Sequence, residues 1–106
     1  MGLGMKIEPT YSISEVSKIL ERSVYWLRWK EGKMIGEGTF VRPDGTPLVI
    51  ARSLSPSGKV ESYSRRKYKI QDIEDMAWLF RSLYEPKTYA RVMERIHLYK
   101  YIGDDE

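Results

Sequence analysis

The sequence predicts an α+β domain, mostly helical, with a small β segment between two pairs of helices. Three observations predict it. Apolar residues recur at helical spacing over residues 13–20, behind a capping signal. β-branched and aromatic residues broken by turn residues fill 34–64. A long amphipathic stripe begins at Ile70. At 106 residues the chain is the size of one domain and can bury a modest core without staples. Its 42% hydrophobic and 31% charged residues fit a globular chain, and no apolar run is long enough to span a bilayer. Cysteine is absent, which excludes disulfides, thiolate metal sites and cysteine nucleophiles. The N-terminus has no apolar stretch resembling a signal peptide, so a cytoplasmic protein is expected, with no membrane partner.

Residues 1–10 read as a flexible lead, with Met5 a candidate native start. Ser12 and Glu15 have capping-box spacing, in which each side chain satisfies a free backbone donor at a helix start. Ile13, Val16, Ile19 and Leu20 follow, predicting a helix over 13–20. Ser23 is the next N-cap, for a second helix from Val24 to about Lys30 that Gly32 ends. Pro43-Asp44-Gly45 lies between Phe40-Val41-Arg42 and Leu48-Val49-Ile50, predicting a hairpin whose second strand Pro47 keeps short or at an edge. Ser53 to Lys59 reads as a turn and Val60 to Tyr68 as a returning strand. From Ile70 to Leu83, the residues Ile70, Ile73, Met76, Ala77, Phe80 and Leu83 or Tyr84 make one stripe, with Asp72, Glu74 and Asp75 where the helix dipole favours acids. Pro86 ends this helix and opens a last one, on which Tyr89, Val92, Met93 and Ile96 form the packing stripe and Tyr99 and Tyr101 extend it. The chain closes on an acidic tail, 104–106.

Charge distribution says more than the net charge of +3. Residues 22–33 hold Arg22, Arg28, Lys30 and Lys33 against Glu31, and residues 59–69 hold five cations against Glu61. Two basic segments on a balanced chain are what a surface that neutralises backbone phosphates requires; solvated mixed-charge surfaces would look the same in composition. On the second helix, Leu27 is the expected core anchor with Val24 helping, and Trp29 is expected to cover the seam with the β segment. That leaves Ser23, Tyr25, Trp26, Arg28 and Lys30 as candidate DNA contacts. Arg28 suits a base, because a guanidinium can form two parallel bonds to a guanine edge, and Tyr25 and Lys30 suit phosphates. Arg65, Arg66 and Lys67 are the second candidate set, along the backbone or adjacent minor groove, with Arg42 and Arg52 as weaker candidates. Trp78 lies off its helix stripe and is a candidate partner surface. The lone histidine, His97, fits a surface role. No catalytic residue, cofactor motif or metal-ligand spacing stands out, so a non-enzyme is expected.

These blocks carry a resemblance. Tyr11-Ser12-Ile13 before the first helix, Leu27-Arg28-Trp29 in the second, and Arg66-Lys67-Tyr68 leading into Gln71-Asp72-Ile73 resemble the MerR-like winged helix-turn-helix superfamily, which includes bacterial regulators and phage excisionases. The resemblance covers about residues 11–80 and has the style of a phage protein. Glu21-Arg22 stand where that family often carries glycine and an apolar residue, and 34–64 is longer than in its compact members. The resemblance implies a winged helix-turn-helix followed by two further helices: helix-turn-helix 12–33, wing 34–68, C-terminal helices 70–101, all within a single domain 11–103. It also implies duplex DNA as partner, with recognition helix 24–31 in the major groove and the basic wing on the backbone, in the host cytoplasm if viral. A small transcriptional regulator is expected. The alternatives are an excisionase that binds tandem sites and bends DNA, or a protein-interaction adaptor working through Trp78 and the last helix. Self-association, an integrase or RNA polymerase are the partners these uses bring.

Overall fold

The computed structural model describes residues 8–59 and 65–104. Among the described residues the fold is mostly helical, with a small three-stranded antiparallel sheet of order β1-β3-β2. The elements are β1 (Thr10–Tyr11), α1 (Ile13–Leu20), α2 (Val24–Glu37), β2 (Ala51–Arg52), β3 (Arg66–Lys69), α3 (Ile70–Leu79), a 3-10 turn (Arg81–Leu83) and α4 (Pro86–Asp104). Thr10 pairs with Lys69 and Tyr11 with Tyr68, so the end of the segment read as a flexible lead is a strand. Met5 and the first five residues of the strand expected at 60–68 lie outside the described residues, as do the last two of the acidic tail.

The first helix pair forms at its expected starts. Ser12 Oγ accepts from the Glu15 amide at 3.2 Å while Glu15 Oε1 accepts from the Ser12 amide at 3.0 Å, closing the capping box. Ser23 Oγ accepts from the Trp26 amide at 3.0 Å. The end of α2 differs from expectation. The helix runs through Gly32 to Glu37, and Gly38 caps it at φ 73°, with Thr39 N donating to Met34 O at 2.8 Å. The reason is Met34, which continues the inward face of Leu27 and Glu31 at i+7 and i+3; all three are buried. Burying that side chain outweighs the roughly 1 kcal/mol that a glycine costs inside a helix. The β segment therefore begins after residue 37 rather than at 34.

The hairpin expected at 40–50 is reduced to one bridge, Val41 to Pro47, around a turn in which Asp44 Oδ1 accepts from the Thr46 amide at 3.0 Å. Pro47 has no N–H to extend a ladder, and the Arg42 side chain is committed elsewhere. Its guanidinium donates to Asp75 at 2.7 Å and to Asp72 at 2.8 Å. Both carboxylates are buried on α3, so Arg42 bridges them, partly offsetting their charge, and ties the 38–50 loop to that helix. The stripe beginning at Ile70 also ends early. The α-helix stops at Leu79, and the 3-10 turn rotates the chain so that Tyr84 is buried and Leu83 exposed. Tyr84 OH donates to Leu20 O.

Val16, Ile19, Leu20, Leu27, Tyr68, Ile73, Met76, Phe80, Val92 and Ile96 form the centre of one core. Tyr89 and Tyr99 pack α4 against it, Tyr99 edge-on to Tyr11 with ring centroids 5.4 Å apart. Tyr101, expected in the same role, is exposed, because five residues past Ile96 it falls off the inward face of α4, while Tyr99 and Lys100 still reach Tyr11 and Glu74.

Candidate nucleic-acid interface

The turn between α1 and α2, Glu21–Ser23, fixes how the second helix is presented. Glu21 takes φ 54°, ψ 44°, a left-handed conformation that costs a non-glycine residue about 1 kcal/mol or more. Its carboxylate offsets that cost. It accepts from Arg91 Nε and Nη2, both at 2.7 Å, and from Arg95 Nη1 at 3.1 Å. The Arg91 hydrogen bonds above all hold the Glu21 carboxyl down to about 2, far below its usual 4.5. Arg95 also donates to Ile19 O at 2.8 Å, satisfying a free carbonyl at the end of α1. Arg22 lies between Trp26 and Tyr84, 5.2 and 4.5 Å from their ring centroids, and donates to Leu83 O at 2.6 Å. A cation stacked between two rings thus occupies the place of an apolar turn residue.

The outward face of α2 follows from where its inward face is buried. Tyr25, Trp29, Gly32 and Gly36 fall at i, i+4, i+7 and i+11, one straight stripe on a helix, and all four are exposed. Tyr25 is 82% exposed and Trp29 51%. Arg28 and Lys33 flank the stripe and are also exposed. Lys33 Nζ lies 5.2 Å and Lys30 Nζ 5.9 Å from the Trp29 ring centroid, so Trp29 is clad in cations and does not cover the seam, the role the sequence predicts for it. Trp26, a candidate contact, instead packs edge-on to Phe80 at 5.2 Å and is half-buried. Ser23 is committed to capping. Lys30 is half-buried at the border of the face.

On β3 the alternation of a strand splits the basic run. Arg66 and Tyr68 turn inward, Arg65 and Lys67 outward, where both are exposed. Glu31 receives the inward pair: Tyr68 OH donates to its Oε2 at 3.0 Å and Arg66 Nε lies 3.4 Å from the same oxygen. Burial pushes the Glu31 carboxyl up, opposed by Arg66, Tyr68 and Arg52. Burial, reinforced by Glu31, pushes the Tyr68 phenol well above its usual range. Arg66 is therefore a strut between β3 and α2 rather than a free contact.

The structure thus brings together Tyr25 and Arg28 from the candidate set. It adds Trp29, Lys33 and the two glycines, and leaves Arg65 and Lys67 exposed on the strand tied to α2. Lys33 and the glycines were hidden by the expected helix end at Gly32; the signal that reveals them is Met34 at heptad spacing from Leu27. Trp78 is half-buried with Arg81 Cζ 4.0 Å from its ring centroid. His97 is exposed, 3.9 Å from Glu74. Among the described residues no three His, Cys, Asp or Glu side chains gather as a metal site, and no helix is long and apolar enough to cross a membrane.

Fold and surface together define a small α+β domain that presents one aromatic and cationic helix face. The chain belongs to the family described as a domain of unknown function, DUF7229, which matches residues 3–98. No curated protein and no solved structure matches the chain.

Proposed function

We propose that this protein is a winged helix-turn-helix of MerR-like type that binds duplex DNA sequence-specifically, with α2 in the major groove and the β2–β3 segment on the flanking backbone. The observation that carries the reading is the outward face of α2. Tyr25, Arg28, Trp29 and Lys33 stand exposed on a helix of 14 residues, about 21 Å long, held by a buried face of Leu27, Glu31 and Met34. A core explains none of them, and a groove-reading helix needs all three chemistries present: a guanidinium for base edges, cations for phosphates, and flat side chains for the groove wall. Gly32 and Gly36 support it further. A Cβ at either would meet nothing within 4 Å, so neither glycine serves packing inside the chain. Arg65 and Lys67 supply phosphate contacts from the wing.

The working role is a small transcriptional regulator, with an excisionase that bends DNA as the second use of the same surface. The test is selection from a random duplex library, then binding to the enriched sequence over a range of salt. The reading expects an enriched sequence and an affinity that falls steeply and linearly on a log–log plot. Genomic fragments then separate the uses: one site at a promoter for a regulator, an array beside a recombination site for an excisionase. No enriched duplex, or binding indifferent to salt, would overturn the reading in favour of a protein adaptor.

A further inference from the structure

A cleft of about 390 Å³ opens between the end of α2, the 38–50 loop and β2, on a different side of α2 from the Tyr25–Trp29 stripe. Its apolar wall is made by Phe40, Leu48 and Ile50, and its polar end by Glu31, Arg52 and Arg66. Beside it, Ile35 and Val49 are 59% and 75% exposed, more apolar surface than a loop and a helix end need.

Two residues of that lining, Ile50 and Arg52, lie at a free sheet edge. β2 pairs with β3 on one side only, Ala51 with Lys67 and Arg52 with Arg66. The Ser53 amide donates to Arg65 O at 2.9 Å, so strand alternation turns the Arg52 amide and carbonyl away from β3. Neither group has a backbone partner among the described residues. The cleft's charges are also unbalanced. Glu31 is matched by Arg66, while the Arg52 guanidinium has no ion pair or hydrogen bond among the described residues and leaves one net positive charge.

We propose that the outer edge of β2 takes an extended segment of a partner protein as a fourth strand. That segment would place an apolar side chain into the Phe40–Leu48–Ile50 wall and, two residues along on the same face, a carboxylate on Arg52. Backbone bonds to the edge supply affinity, and the apolar-x-acidic pattern supplies specificity. The cleft opens to solvent beside the exposed Ile35 and Val49, so a segment can enter it from outside. Its charge selects an acidic segment over a basic one.

The test is selection from a random nonapeptide library against the whole chain. Enriched peptides are expected to share an apolar residue and an Asp or Glu two positions apart, and to shift the Ile50 and Arg52 amide resonances. Arg52→Glu is expected to weaken them roughly tenfold or more and to select Lys or Arg at the formerly acidic position, a reversal that simple loss of structure would not give. N-methylation of alternate peptide amides is expected to abolish binding in one register and spare it in the other. No enriched pattern, a pattern indifferent to Arg52→Glu, or equal tolerance of both N-methylated registers would overturn the proposal. Shifts of the same amides with protein concentration alone would also overturn it, by assigning the edge to a second copy of the chain.

Discussion

The two faces of α2 share one helix and have nothing else in common. Inward, Leu27, Glu31 and Met34 are buried against the sheet and α1, and the one charge among them is held by Tyr68 and Arg66. Outward, two aromatics, two cations and two glycines lie exposed, and a Cβ on either glycine would meet nothing within 4 Å. The inward face is explained by folding alone. The outward face lowers helix propensity and leaves flat apolar rings in water, costs that folding does not return. The difference teaches that the same few turns answer to two constraints, and that substitutions sort by face.

The largest effect is expected inward. Leu27→Ala should cost about 2–5 kcal/mol in urea unfolding, because Leu27 is wholly buried and a core relaxes only in part into such a gap. A loss under 1 kcal/mol would break the division of faces. Glu31→Ala should cost about 1–3 kcal/mol, since it strands the Tyr68 hydroxyl and the Arg66 guanidinium. Arg28→Ala should leave unfolding within about 0.5 kcal/mol of the parent and remove about 1–3 kcal/mol of base discrimination at one position of the bound sequence.

Gly32→Ala and Gly36→Ala sharpen the comparison further. Each should stabilise the free protein by about 0.4–1 kcal/mol, because both lie in a helix with open space where the Cβ would go. Each should weaken DNA binding if the backbone there approaches the duplex closely. Stabilisation with unchanged affinity would remove the glycines from the interface. The smallest effect lies in the turn that presents the helix. Glu21 is bound by Arg91 and Arg95 near the surface, and its folded pKa of about 2 lies below the usual 4.5. Its contribution is therefore complete above pH 4.5 and lost as pH falls toward about 2. Thermal melts of the parent and Glu21→Gln should differ at neutral pH and converge in acid.

Local signals carried the helix starts. Ser12 with Glu15, Ser23 and Pro86 each mark a first turn by chemistry that acts within a few residues, and each stands where the sequence predicts. Ends were harder, because they depend on distant partners. Gly32 reads as a stop until Met34 is known to be buried, and Leu83 and Tyr84 are alternatives for the end of the stripe until Tyr84 reaches the carbonyl of Leu20. The candidate interface divides in the same way. Tyr25 and Arg28 follow from helix periodicity alone. Arg42 and Arg66 look like free cations in the sequence, and only the fold brings them to Asp72, Asp75 and Glu31. Composition registers a cation; whether it is already paired is a tertiary fact.

The most direct test of the outward face is a comparison of Arg28→Ala and Lys67→Ala on the selected duplex and on single-base variants of it, across a salt series. The proposal predicts that Arg28→Ala flattens preference at one base pair. Lys67→Ala should weaken every sequence alike and reduce the salt slope by about one. Equal, sequence-independent losses from both substitutions would contradict base reading by α2. No loss from either would contradict DNA binding by this face altogether.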